Sequence, residues 1–217
     1  MMTRHTLTAL DQGRFQDRAW VEHLVDHFAG YYFKALEAYE QGAAALPAVW
    51  KLTFDLAGSP TTTVMEDLIL GINAHINHDL PLAISDTLIP EWHVLPAARR
   101  AMRSADHMLI NQIIAETMQP VQEQVVGQHA RLAGAVTKVL GTLFDWEMDR
   151  IITGWRADVW AYAVRIAETS APHEREGLRQ SLEMTSLARV RLLLSARKVR
   201  NKAFGYPISW LHAKGLV

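Results

Sequence analysis

Long stretches of helical periodicity, broken by Pro and Gly, constrain the fold of this chain most. Apolar residues recur at three- and four-residue spacing in one segment after another, and alternating strand patterns bounded by turns are missing. The first long segment begins at Asp17, a predicted N-cap, and its apolar stripe ends at Tyr39. No internal repeat or long linker interrupts the 217 residues. The sequence therefore predicts one all-α domain over residues 1–217, a helical bundle of about six to seven helices.

Prolines and glycines set the predicted ends of the other helices. Residues 1–16 are expected to form an irregular N-terminal segment, and Ser85–Pro96 a loop with at most one helical turn. The remaining helices are predicted from near Pro47 to before Gly58, Val64 to Asp79, Ala97 to Met118, Val121 to Leu140, Leu143 to Glu168 and Glu174 to Lys202.

Charge and cysteine content exclude several classes of function. A formal net charge of -1 argues against a protein that coats nucleic acid or an acidic membrane. The basic residues that follow Leu187 are expected to complement a helix dipole rather than bind nucleic acid. Without Cys there is neither a thiolate metal ligand nor a cysteine nucleophile. No apolar run suits a signal peptide or a membrane span, so a soluble, cytoplasmic protein is expected.

One predicted helix carries polar side chains within its apolar stripe. At about 100° per residue, His75 and Asp79 fall together in the middle of that stripe, His78 lies at its edge and Asn77 points away. An ionised carboxylate that is buried without partners costs several kcal/mol. Asp79 therefore needs His75, an Arg, a metal ion or its own proton.

Two residues beside this pair are expected to shape a site. Pro81 lacks an N–H and leaves the carbonyl of Asn77 without its helical donor, so the helix is predicted to end or kink there. Gly71, one turn before His75, has no side chain and would let another helix or a ligand approach closely.

The run from Gly71 to Leu82, Gly-Ile-Asn-Ala-His-Ile-Asn-His-Asp-Leu-Pro-Leu, resembles the signature of an uncharacterised family, the domain of unknown function numbered 5995. Residues 28–40 resemble the first long helix of that family, and Arg156 and Trp160 resemble its Arg-x-x-x-Trp pattern. The resemblance implies no particular activity. It marks the same residues that the helical wheel selects.

A second similarity suggests a metal ion. The spacing His75-x-x-x-Asp79, followed by Pro81, is similar to a helix segment of the zinc-dependent phospholipase C and single-strand nuclease group, where two ligands share a metal. This chain has no second His-x-x-x-Asp or His-x-x-x-Glu pair. The similarity therefore implies at most a single divalent metal, held by His75 and Asp79.

Three hypotheses of function follow. The first is an enzyme that acts on a small, largely apolar molecule in a pocket between helices, by cyclisation, rearrangement or elimination. His75 is its predicted general acid or base, and Asp79 orients the imidazole ring. The residues predicted to bind its substrate are Asn73, His78, Arg156 and Trp160. The second is a metal-dependent hydrolase with His75 and Asp79 as ligands, and the third is a non-catalytic helical module in which the pair is structural. No other cofactor is evident from the sequence, and the oligomeric state is left open.

A further group, His23, Asp26 and His27, has ligand-like spacing. His23 and Asp26 lie outside the apolar stripe of their helix, and His27 lies at its edge. A solvated helix face is therefore favoured over a metal site.

Overall fold

Eight α-helical segments and one π-helical turn make up the described part of the chain. The computed structural model describes residues 2–57, 59, 62, 64–129 and 158–213. The elements are α1 Met2–Asp11, α2 Arg18–Glu40, α3 Ala48–Ala57, α4 Val64–Ala74, the π turn His75–Asp79, α5 Leu80–Leu88, α6 Ala97–His129, α7 Val159–Glu168 and α8 Pro172–Ala213. Because α4, the π turn and α5 are continuous, these ranges hold seven helices, and none of their residues is in a strand. The predicted all-α bundle is confirmed.

The start of α2 lies where the sequence places it. The Asp17 carboxylate accepts a hydrogen bond from the backbone N–H of Trp20 at 3.4 Å, which caps the helix. Arg103 of α6 donates to the same carboxylate at 3.0 Å. The Asp106 carboxylate accepts the backbone N–H groups of Gln16 and Asp17 at 2.8 and 2.7 Å. These bonds tie the beginning of α2 to α6.

The helix α5 lies at the centre of the bundle, which explains why the residues before it are deeply buried. It packs against α2 on one side and α7 on another. Ala83, Ile84 and Leu88 are fully buried there. Each large aliphatic side chain buried in this way stabilises the fold by about 1.5–3 kcal/mol. In the N-terminal part of the continuous helix, α3 packs against α4, and α8 contacts both.

The long helix α8 contributes one narrow stripe to this core. Leu182, Ser186 and Val190 are spaced four residues apart and are all buried. In the part of the chain that the structure describes, neither α8 nor any other helix has the length and apolar character that a bilayer span requires.

The expectation of an irregular segment over residues 1–16 is wrong, because Met2–Asp11 forms α1. Thr6, Ala9 and Leu10 share one face of this helix and are buried where α1 packs against α6 and α2. The segment lacks the capping and charge signals that mark a helix start in a sequence. A helix of this length is only marginally stable when it is isolated in water. The helical state of α1 therefore depends on its packing against α2 and α6.

Two prolines do not end helices at the predicted points. The chain stays helical through Pro81 to Leu88, so the first residues of the expected Ser85–Pro96 loop belong to α5. Pro81 lies in the first turn of α5, where a missing N–H costs little. The helix α6 likewise continues through Pro120 to His129. The other parts of the helices predicted over residues 121–140 and 143–168, namely residues 130–157, lie outside the described residues.

No described residue makes the close approach to Gly71 for which the sequence predicts room. A Cβ atom built at Gly71 in α4 would have no described neighbour within 4 Å outside its own helix backbone. We therefore expect Gly71→Ala to raise the free energy of unfolding by about 0.5–1 kcal/mol, because alanine favours a helix over glycine. Urea unfolding measures this change. Gly42→Ala is the control and should destabilise, because Gly42 has a φ of 63°, which disfavours a Cβ atom.

Candidate functional site

The π turn brings His75, His78 and Asp79 together. The Asp79 side chain has no exposed surface, and its two oxygens accept from different rings. His75 Nδ1 lies 3.0 Å from Oδ2, and His78 Nδ1 lies 2.8 Å from Oδ1. An ionised carboxylate can only accept hydrogen bonds, so we assign the Nδ1–H tautomer to both rings. The Nε2 atom of each neutral ring then carries the lone pair.

Trp50 of α3 is the third donor to Asp79, and no local sequence pattern indicated this contact. Its indole N–H lies 3.1 Å from Oδ1 and 2.9 Å from Oδ2. Trp50 is buried, and a buried indole N–H usually finds an acceptor. That rule could have indicated a buried partner for Trp50, but the partner lies 29 residues further along the chain. The carboxylate thus accepts four contacts of normal length from three side chains, Trp50, His75 and His78.

His75 is held on its face as well as through Nδ1. Phe28 of α2 stacks on the imidazole, with the ring centroids 3.8 Å apart and the planes inclined by 12°. Tyr32 lies one helical turn further along α2, with its ring centroid 6.0 Å from that of His75. The His75 side chain retains 23% of its exposure, whereas Asp79 retains none. The ring is therefore held on one face and at Nδ1, and part of it is still exposed.

A cavity of about 180 Å³ lies beside His75, between α1, α2, α6 and the start of α5. Its walls are mostly aliphatic or aromatic, and those deepest in the bundle are Leu24, Val25, Phe28, Leu80, Ile110 and Ile114. Phe33, with 63% of its surface exposed, also lines the cavity and marks its open side. The volume is somewhat larger than that of an apolar cavity of about 150 Å³ that binds benzene. A single ring with small substituents can occupy it.

The two predicted metal ligands, His75 and Asp79, are hydrogen-bonded to each other. Within the described ranges, no group of three or more His, Asp or Glu residues has the geometry to hold a metal ion. His75 and His78 direct Nδ1 at the Asp79 oxygens, so Nε2 is the nitrogen of each ring that could bind a metal ion. A metal at His75 and Asp79 would have to displace hydrogen bonds already formed.

A comparison with protein families identifies the group to which this sequence belongs. The model of a family of unknown function, DUF5995, matches residues 1–196. The chain belongs to DUF5995. Searches of curated proteins and of solved structures gave no match. The resemblance inferred from the Gly71–Leu82 run is thus confirmed at the level of the family.

The structure of this DUF5995 chain places Asn73 and Asn77 on the side of the helix that faces α8. Asn73 Nδ2 donates to the Ser186 carbonyl at 3.0 Å, and Asn77 Nδ2 donates to Asn73 Oδ1 at 2.9 Å. The expectation that Asn77 points away from the core is wrong, because α8 covers that side and leaves Asn77 only 1% exposed. Neither amide is among the groups that line the cavity.

None of the other described residues that were predicted to bind substrate is among those that line the cavity. Trp160 of α7 packs edge-on against Trp20 at 6.1 Å and lies 5.4 Å from the ring of His107, away from the cavity lining. His78 contacts Asp79 and is almost fully buried. Arg156 lies outside the described residues.

A second polar cluster of this DUF5995 chain joins α2, α5 and α8. The Asp86 carboxylate accepts from the Tyr31 hydroxyl at 2.6 Å and from Arg179, and His27 Nε2 lies 3.3 Å from it. Burial, followed by the hydrogen bond to Asp86, raises the pKa of Tyr31 above its ordinary value. His23, one turn before His27, is exposed. Side chains of α2 and α8 thus bind the Asp86 carboxylate and connect both helices to α5.

Proposed function

We propose that this protein is an enzyme that acts on a small, largely apolar molecule by acid–base chemistry at His75. The observation that carries the proposal is that the imidazole ring of His75 contacts both a buried carboxylate and a cavity. Its Nδ1 lies 3.0 Å from a wholly buried carboxylate, and the ring itself lines a mostly apolar cavity. Cyclisation, rearrangement or elimination suits such a site. The cytoplasmic location expected from the sequence is part of the same proposal.

Asp79 has two roles in this scheme. Its hydrogen bond to Nδ1–H selects the tautomer in which Nε2 can take a proton from a substrate. Once Nε2 is protonated, the carboxylate stabilises the positive charge of the ring. Phe28 fixes the plane of the imidazole by stacking. The mostly apolar walls displace part of the water around a bound substrate, which strengthens electrostatic interactions with it.

A base-promoted elimination on a neutral probe tests the proposal. Nitrobenzisoxazole loses its ring C–H proton to a base while its N–O bond breaks, and the coloured cyanophenolate product reports the rate. We expect His75→Gln to lower the rate at least about ten-fold, because a positioned general base contributes a factor of this size or more. Asp79→Asn should also lower the rate, because an amide no longer selects the Nδ1–H tautomer.

His93→Gln is the matched control, because His93 is exposed in the turn between α5 and α6. It should keep the rate of the unmodified protein. Circular dichroism establishes that each variant is folded. If folded His75→Gln catalyses the elimination as fast as the unmodified protein, the assignment of His75 is wrong.

A non-catalytic helical module is a second candidate, and the saturation of Asp79 by Trp50, His75 and His78 favours it. Buried polar groups of this kind also serve to specify packing. This candidate predicts that the unmodified protein accelerates the elimination no more than His75→Gln does. Elemental analysis separates both candidates from a metal-dependent hydrolase, which requires a stoichiometric metal ion.

A further inference from the structure

The polar groups of the cavity wall restrict what can bind there. Thr6, Tyr32 and His75 are the polar residues that line it, and no Asp, Glu, Lys or Arg is among the lining residues of the described chain. Transfer of a charged ligand into such a space would cost several kcal/mol without a counter-charge. A neutral ligand avoids this cost. If it carries a polar group, the side chains that can hydrogen-bond to that group are those of Thr6, Tyr32 and His75.

Tyr32 is the polar lining residue best placed to act together with His75. It follows Phe28 by one turn of α2, so both rings flank the same imidazole. Its ring also contacts Trp50 edge-on, with centroids 5.3 Å apart, and this contact fixes its direction. Within the described part of the chain, its hydroxyl group makes no hydrogen bond. By contrast, the Tyr31 hydroxyl is held by Asp86 at 2.6 Å.

We propose that Tyr32 is a second catalytic residue of the His75 cavity and that the substrate is an uncharged, ring-sized carbonyl compound whose oxygen accepts the Tyr32 O–H. This inference rests on the proposed acid–base function of His75. It adds the class of the substrate and the group that binds its oxygen. A cavity of about 180 Å³ admits one six-membered ring with a small substituent.

The reaction step needs no additional reactant. His75 Nε2 takes a proton from the carbon next to the carbonyl group, and the electron pair of the broken C–H bond forms a carbon–carbon double bond. The carbonyl π pair moves onto oxygen, where the Tyr32 O–H stabilises the developing negative charge. The imidazolium of His75, stabilised by Asp79, then returns the proton to the same carbon or to one conjugated with it. The first outcome is exchange and the second is a shift of a double bond.

Exchange of the protons of cyclohexanone in D₂O tests this inference directly. Proton NMR follows the loss of the signals next to the carbonyl group in the presence of the full-length protein. We expect Tyr32→Phe to slow the protein-dependent exchange by about ten-fold or more, because it removes the donor to the enolate oxygen. Tyr39→Phe is the control, since Tyr39 lies two turns further along α2 and its hydroxyl bonds to the exposed Asp55. It should stay within about two-fold of the unmodified protein.

A measurement on the unmodified protein tests the class of ligand without any variant. Cyclohexanone should inhibit the nitrobenzisoxazole elimination at a concentration at least about ten-fold lower than cyclohexanecarboxylate does, because only the carboxylate is charged. Stronger inhibition by the carboxylate, no protein-dependent exchange, or equal exchange by folded Tyr32→Phe would overturn the inference. If the elimination still depends on His75 in any of these cases, the proposed function stands without Tyr32. If the elimination does not depend on His75, the proposed function itself fails.

Discussion

Replacement of Asp79 by alanine is expected to lower the free energy of unfolding by about 3–5 kcal/mol. The carboxylate has no exposed surface and accepts from Trp50, His75 and His78. The substitution leaves these donors without their acceptor, and each buried donor left unpaired costs about 1–3 kcal/mol. His75 is partly open to water, which keeps the total below the sum of three full penalties. Urea unfolding followed by far-ultraviolet circular dichroism measures the loss.

Asp55→Ala is the matched control for this experiment. Asp55 lies on α3, the helix that carries Trp50, but it is exposed and pairs with Lys51 at the surface. Its removal should have a much smaller effect, because exposed ion pairs contribute little. Asp79→Asn should fall between the two, because a histidine can shift its proton and accept from the new amide. A loss below about 1 kcal/mol for Asp79→Ala would show that the network is not a source of stability.

The burial of Asp79 could be predicted from the sequence because it follows from helical geometry alone. His75 and Asp79 are four residues apart, and the apolar residues around them fix which face is inward. The same argument failed for Asn77, which it placed toward solvent. A helix wheel assumes one buried face, whereas the continuous helix from Val64 to Leu88 is covered by α2, α3, α7 and α8. In such a helix every face carries buried residues.

The partners of the site could not be predicted, because they come from other helices. Trp50, Phe28 and Tyr32 each belong to an apolar stripe, and nothing in the local pattern distinguishes a packing ring from one that contacts an imidazole. Their roles arise from how α2 and α3 pack around the π turn. The sequence thus indicated the catalytic pair of the proposed enzyme but not the groups that hold it or bind its substrate.

The helix end predicted at Pro81 is absent because of the backbone geometry around this residue. Pro81 predicts a helix end when it is considered alone, since it removes one donor. In the structure the π turn precedes it, and the N–H of Leu80 donates to the carbonyl of His75, five residues earlier. The chain therefore continues in helical form at modest cost. Single-turn π segments of this kind occur frequently at functional sites, so the mismatch itself points to the residues of the proposed site.

Acidification is expected to destabilise the protein through His107, a buried residue of α6 outside the His75 site. The side chain of His107 is 1% exposed, and neither ring nitrogen has a hydrogen-bond partner among the described residues. Burial lowers the pKa of His107 from its ordinary value of 6.5 to about 4. Between these two values the unfolded chain binds a proton that the folded protein does not bind. The free energy of unfolding should therefore fall as the pH drops below 6.5 and lose about 3 kcal/mol from this residue by pH 4.

The variant His107→Phe separates this contribution from those of other groups. Phenylalanine keeps a flat ring against Trp160, which lies 5.4 Å from the imidazole, but it cannot bind a proton. Urea unfolding of both proteins from neutral pH to pH 4 should show the variant gaining about 3 kcal/mol relative to the unmodified protein. His173→Gln, at an exposed position of α8, measures how the loss of one surface histidine changes the pH dependence of the free energy of unfolding. The contribution of His107 is the change in His107→Phe beyond that of this control. If the free energies of unfolding of His107→Phe and the unmodified protein change in parallel with pH, the prediction is contradicted. A buried imidazole that resists protonation has to make the two free energies diverge below pH 6.5.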